Sequence, residues 1–177
     1  MKYFGPQIQL PLQESGISPK IERSSSDDAE LILGTPAEVL SFLKKTDSVI
    51  ILFDATGALL RSLDKVILVG GHYLSGQEKE VLRARNIQLF SLQSIMQEGI
   101  ANICDVLMES ANTFPSVHIC VSTSILDSQQ FPGGLSAREL LYFLQRLRVL
   151  KNYLTASVTG DASPLTAKLL SELAKPF

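Results

Sequence analysis

The chain has no tryptophan, and its 177 residues include only two cysteines and two histidines. Cys104 and Cys120 are too far apart for a C-x-x-C motif, and His72 and His118 lack ligand spacing, so a zinc site is not expected. The cysteines fall on a predicted helix and a predicted strand. Their expected state is that of two buried free thiols in a reducing cytoplasm. Charge of one sign is also scarce. The formal net charge is −2, which gives no electrostatic reason to expect nucleic acid or an anionic membrane as partner. No apolar run approaches the ~20 residues of a membrane span. The opening MKYFGPQIQL has no apolar h-region, so no secretory signal is expected. No repeat of fixed period is present, and low complexity is confined to Ser24-Ser25-Ser26.

What the chain does have is an apolar fraction of 45%, with eight phenylalanines. Its length suits one domain with a real core. Residues 1–30 are read as an N-terminal strand and loop segment. Ile8–Leu12 is a candidate strand, and Ser15–Asp28, with its Gly, Pro, Ser and Asp, is a candidate loop.

From Leu31 onward the pattern alternates. Leu31–Gly34, Ser48–Phe53, Val66–Gly70, Ile87–Phe90, Val117–Val121 and Tyr153–Val158 are short, β-rich apolar runs, as expected of strands covered on both faces. Between them lie helix starts. Thr35-Pro36-Ala37-Glu38, Ser75-Gly76-Gln77-Glu78 and Ser136-Ala137-Arg138-Glu139 are each spaced as a capping box, in which side chain and backbone satisfy each other's orphan N–H groups. The first two helices should run to about Lys45 and Arg85. Leu92–Glu98 and Ile100–Asn112 read as further helices, the latter with Ile100, Ile103, Cys104, Leu107 and Ala111 on one stripe. The helix after Ser136 should bury Ala137, Leu140, Leu141, Leu144 and Leu147, and turn Gln145, Arg146 and Arg148 to water. Ser163-Pro164 starts a last helix with Leu165, Leu169, Leu170 and Leu173 inward. Repeated β-then-α units predict an α/β fold over residues 31–177, a three-layer α/β/α sandwich with a mostly parallel sheet.

The most informative stretch is Val117–Glu139, VHICVSTSILDSQQFPGGLSARE. Leu126-Asp127 and Gly133-Gly134-Leu135-Ser136-Ala137-Arg138-Glu139 resemble the arginase/agmatinase (ureohydrolase) family. There a strand ends in D-V-D-x-L-D-P, and a later G-G-L-T/S-x-R-E opens a helix. Three further segments fit in the same order. Leu33-Gly34-Thr35-Pro36-Ala37-Glu38 occupies the place of the family's G-G-D-H-S. Phe53-Asp54-Ala55-Thr56-Gly57-Ala58 occupies that of D-A-H-x-D. Val66–Ile100 is similar to the strand, acidic loop, E-K-E-x-L helix, strand and short helix between them.

The resemblance implies an arginase-like fold in reduced form and also implies what is missing. In the family, two His and four Asp hold a pair of manganese ions. At those positions stand Ala37, Asp54, Thr56, Ala58, Ser122 and Ser124, so one ligand remains. A D-x-D at a strand end works because residues i and i+2 point the same way. Ser122 and Ser124 keep that direction with neutral hydroxyls. Two dications bring four positive charges, and hard cations need anionic oxygen or imidazole to offset them. No binuclear manganese site is expected, and no metal-bound hydroxide. Leu59–Lys65 is also a short connection where the family has long substrate loops with a catalytic His. The family's guanidinium-binding Glu would fall near Gly160.

Other chemistry is thinner. Gly70-Gly71-His72-Tyr73-Leu74-Ser75-Gly76 is a strand, Gly-rich loop and helix start, in which Gly70, Gly71, Ser75 and Gly76 could cradle an anion. It is neither a P-loop nor G-x-G-x-x-G. His118 and Ser122 share a strand face but stand ~13 Å apart, too far for proton transfer. Asp127 is expected to brace its own loop. The expectation is therefore a cytoplasmic ureohydrolase-like protein without cofactor or catalysis. It would act as a structural, regulatory or protein-interaction component, as a homo-oligomer or with another protein, and not with nucleic acid or membrane. The alternatives are a redirected hydrolase using Asp54, Ser122, Ser124 and His72, or an anion-binding module at Gly70–Gly76.

Overall fold

The structure is a computed structural model that describes residues 1–7, 9, 22–23, 25 and 29–174. Its eight strands are β1 (Lys2–Phe4), β2 (Glu22–Arg23), β3 (Leu31–Gly34), β4 (Val49–Asp54), β5 (Val66–Gly70), β6 (Gln88–Ser91), β7 (Val117–Ser122) and β8 (Tyr153–Thr159). They form one sheet in the order β2-β1-β3-β8-β7-β4-β5-β6, and every pairing is parallel.

The helices are α1 (Pro36–Leu43), α2 (Gly76–Ala84), α3 (Leu92–Glu98), α4 (Ile100–Asn112), α5 (Ala137–Leu147) and α6 (Pro164–Leu173). Alternate strand residues face opposite layers. Ile32, Ile50, Leu52, Leu68 and Cys120 pack with Val39 and Leu43 of α1 and Leu82 of α2. Leu31, Leu33, Ile51, Phe53, Ile119 and Val121 pack with α3, α4, α5 and α6. The steps β3 to β4 and β5 to β6 run toward the β6 edge beneath α1 and α2. The steps β6 to β7 and β7 to β8 run back beneath α3, α4 and α5. Reversing both direction and face keeps one crossover hand, as parallel sheets require. The result is the expected three-layer α/β/α sandwich.

Thr35 and Ser136 form full capping boxes with Glu38 and Glu139. Ser75 does not: its hydroxyl donates to the Glu78 carboxylate and accepts no backbone N–H, because Glu78 is drawn to the Arg61 guanidinium at 2.7 Å. Helix α1 stops at Leu43, short of the expected Lys45, while α2 runs to Ala84 with Arg85 as its C-cap, as expected. Strand β2 lies within the stretch expected as a loop. Two charged residues at a sheet edge leave no hydrophobic pattern to read. The candidate strand at 8–12 falls almost wholly outside the described residues.

Side-chain placement differs at a few positions. Ala137 is exposed on the first turn of α5, and Phe143 is buried in the inward stripe. Leu165 is 36% exposed, because it sits a turn ahead of the stripe formed by Leu169, Leu170 and Leu173. Arg148 does not face water. Its guanidinium lies 3.5 Å from the Glu172 carboxylate, which is fully buried and also bonded by Lys168 Nζ at 2.6 Å. No described helix is long and apolar enough to cross a membrane.

Candidate functional site

The register places a row of strand-terminal residues side by side. Gly34 pairs with Thr159, Thr159 with Ser122, Asp54 with Gly70, and Gly70 with Ser91. Asp54 and Ser122 both lie one residue past the Phe53–Val121 pair. The row marks the carboxyl ends of the strands, where open α/β sheets place their ligands.

Asp54 is 4% exposed, and its carboxylate is held by neutral donors from the chain itself. Ser124 Oγ donates to Oδ1 at 2.5 Å, and Thr56 Oγ1 and the Ala58 N–H each donate to Oδ2 at 3.2 Å. Ser122 Oγ lies 2.8 Å from Ser124 Oγ. Since Ser124 spends its only proton on Asp54, Ser122 is the donor in that pair. Ser124 Oγ also accepts the Ala55 N–H at 3.3 Å, and Ser122 Oγ accepts the Ser124 N–H at 3.3 Å. The 3-10 turn Thr123–Ile125 folds Ser124 back toward β4, and Ser122 caps it.

Five of the six sequence-predicted positions, Asp54, Thr56, Ala58, Ser122 and Ser124, therefore meet in one network. Ala37 does not join it. It is exposed on the first turn of α1, after β3, and β8 and β7 separate β3 from β4 by about 14 Å.

Two loops flank the network. At the end of β5, Gly70 has φ +103, a conformation that strains any L side chain, and a Cβ there would also press on the tip of the Ile125 side chain and stand 3.1 Å from the Asp54 carbonyl. His72 follows. Both its ring nitrogens are buried and lack a hydrogen-bond partner among the described residues. Burial pushes its pKa down, and the charge of Asp54 opposes that. The Tyr73 ring meets His72 edge-on at 4.8 Å and Phe131 at 5.6 Å, and Tyr73 Oη donates to the Pro132 carbonyl at 3.3 Å. In the second loop Asp127 Oδ1 accepts the Gly133 N–H at 2.8 Å, bracing the Gly-Gly turn. A Cβ on Gly134 would stand 2.4 Å from the Ile125 carbonyl.

The residues expected as an anion cradle lie on that first loop and the start of α2. Gly71 adopts φ +60, and Gly76 has open space around it. The Glu78 carboxylate already lies against the Ser75 hydroxyl at this helix start.

A second polar cluster was missed from sequence. His118 is fully buried under α1, with Nδ1 2.6 Å from Thr155 Oγ1 and Nε2 2.8 Å from Ser157 Oγ. The alternation of Thr155 and Ser157 on β8 was its only trace. A cavity of ≈ 480 Å³ opens beside the row, at the ends of β1, β3 and β8, lined by residues that include Phe4, Arg23, Gly160 and Asp161. It does not include the Asp54 network.

The donor set does not suit the manganese pair that this fold family implies. One carboxylate and three hydroxyls cannot offset two dications, and both Asp54 oxygens already accept protein hydrogen bonds. Among the described residues no group of three or more His, Cys, Asp or Glu side chains is placed to hold a metal ion.

No family model matches the chain. Over 130 residues, 67% of its length, it is 28% identical to the arginases of Coccidioides posadasii (strain C735) and Coccidioides immitis (strain RS), and it covers 39% of each. The arginase structure from Bacillus cereus superposes with a TM-score of 0.73 at 18% identity, over 83% of this chain and 71% of that one. The formimidoylglutamase of Bacillus subtilis subsp. subtilis str. 168 gives 0.69 at 20% identity, over 82% and 59%. The architecture is thus the arginase-like α/β fold, and the chain is related to the arginase/ureohydrolase family. It spans about two fifths of the curated arginases that it matches.

Proposed function

We propose that the chain is a metal-free member of the ureohydrolase group that does not hydrolyse guanidino substrates, and that it acts as a structural, regulatory or protein-interaction component. The observation that carries this reading is the Asp54 network. The remaining carboxylate is satisfied by Ser124, Thr56 and Ala58 of the same chain. A hydroxyl that donates to the carboxylate does locally what a cation would otherwise do, at far lower desolvation cost. The two serines lack the serine–histidine pairing of a hydrolytic nucleophile. Ser124 is bonded to a carboxylate, Ser122 only to Ser124, and His72 makes no hydrogen bond to either, which weighs against a redirected hydrolase. The Glu78 carboxylate at the start of α2 weighs against an anion site there.

Elemental analysis of the purified chain after incubation with manganese, alongside urea release from arginine and agmatine, tests the reading. The expected result is metal well below one equivalent and no urea. Two tightly held equivalents, or turnover, would overturn it.

A further inference from the structure

The two edges of the sheet are built differently. At one edge β2 is only Glu22–Arg23, two charged residues. At the other, β6 reads Gln-Leu-Phe-Ser and has no strand beyond it among the described residues. Natural edges are usually blunted by charge, proline or a bulge, because their free N–H and C=O groups recruit other chains. Among the described residues strand β6 carries no charge, proline or bulge and has only its shortness for protection.

The surface beside that edge is shaped and charged. Leu89 pairs with Leu68, so it faces the α2 layer, as does Ile87 two residues earlier, and Leu89 is 37% exposed. With Leu74 and Leu82 they line an open groove of ≈ 440 Å³ between β6 and α2. Its outer wall is Lys79 and Arg83, one helical turn apart, with Asn86 a turn further on. Among the described residues neither Lys79 nor Arg83 forms an ion pair and no carboxylate lines the groove. The Glu78 carboxylate of α2 is turned away to Arg61.

We propose that this edge docks an extended segment of another protein, in which apolar residues face the groove and acidic residues flank them. Main-chain hydrogen bonds to β6 would supply strand addition. Side chains two apart would lie beside Ile87 and Leu89, and carboxylates would meet Lys79 and Arg83. Charge selects this occupant over a second copy of the chain. Two copies joined edge to edge would bring Lys79 and Arg83 of both into one junction with no acid in the groove to offset them. The proposal takes up the protein-interaction role inferred above and rests on it. The metal and urea assays test that role's premise separately, since they do not depend on this edge.

The test uses two fluorescent peptides of about eight residues, a typical strand length, with the same alternating valines and either glutamate or lysine at the flanking positions. Each is titrated by anisotropy against the full chain and against the double variant Lys79→Glu/Arg83→Glu. Both substituted side chains line an open groove, and far-UV circular dichroism checks that the variant is folded. The glutamate peptide should bind at least about tenfold more tightly than the lysine peptide, weaken with salt, and protect the β6 amides from hydrogen exchange. The double variant should reverse the preference. Equal binding of both peptides, an unchanged preference in the variant, protection away from β6, or a dimer of the chain alone protected at β6 would each overturn the proposal.

Discussion

Ser124 Oγ donates to Asp54 Oδ1 at 2.5 Å, across the gap between β7 and β4. The pair joins two strand ends through a hydroxyl, at the positions where the resemblance to ureohydrolases would put metal ligands. Ser124→Ala should destabilise the fold by about 1.5–3 kcal/mol, because it removes a charge-assisted hydrogen bond from a buried carboxylate. In a double-mutant cycle with Asp54→Asn, denaturant melts should show coupling of about 1 kcal/mol or more between the two positions. Additivity would mean that the bond contributes nothing.

His118 gives the fold an acid limit. Burial without a counter-charge depresses its folded-state pKa to about 3 from the ordinary 6.5. Between those values the unfolded chain binds a proton that the folded chain refuses. Stability from this residue is therefore flat above about pH 6.5 and falls below it, with a slope approaching about 1.4 kcal/mol per pH unit. Urea denaturation at a series of pH values from 7 downward measures the slope. His118→Gln, which keeps polar atoms near Thr155 and Ser157 without titrating, should lower stability at neutral pH and flatten the acid limb. An equally steep limb in that variant would assign the slope to other groups.

Much of this architecture was legible because α/β units carry redundant signals. Apolar runs such as Val66–Gly70 cannot be exposed, and Thr35-Pro36-Ala37-Glu38 and Ser136–Glu139 start helices through local chemistry alone. The convergence of Asp54 with Ser122 and Ser124 was foreseeable only through the family frame, since nothing local ties residues so far apart in sequence. The His118 cluster was not legible, because a histidine in an apolar run does not reveal that Thr155 and Ser157 will face it from the next strand. Arg148 misled for a related reason. It sits on the polar side of its own helix, and only the packing of α6 supplies its buried partner.

The two thiols should be chemically silent. Burial pushes Cys104 up to about 11 and Cys120 up to about 12, and neither side chain reaches solvent. Thiolate is the reactive form, so at pH 8 both should react with a disulfide reagent only through opening of the fold. The labelling rate should follow global stability as urea is added. Fast stoichiometric labelling of either cysteine in the native chain would contradict its burial.

Glu172 makes the strongest demand on the packing of α6. Its carboxylate is fully buried, with Lys168 Nζ at 2.6 Å, Arg148 Nη1 at 3.5 Å and Gln145 Nε2 at 3.4 Å, while the Arg148 side chain is only 12% exposed. Removing the acid alone leaves that mostly buried guanidinium, and the Lys168 ammonium with it, without their shared counter-charge. Glu172→Ala should therefore cost about 3–5 kcal/mol, far more than an exposed ion pair contributes. Glu172→Leu combined with Arg148→Met replaces the acid and its guanidinium partner with apolar volume, leaves the 25% exposed Lys168 to turn to water, and should recover most of that loss. The comparison separates the worth of the pair from the penalty of an orphaned charge. If the double variant were no more stable than Glu172→Ala, the buried carboxylate would be holding α6 through contacts other than the one with Arg148.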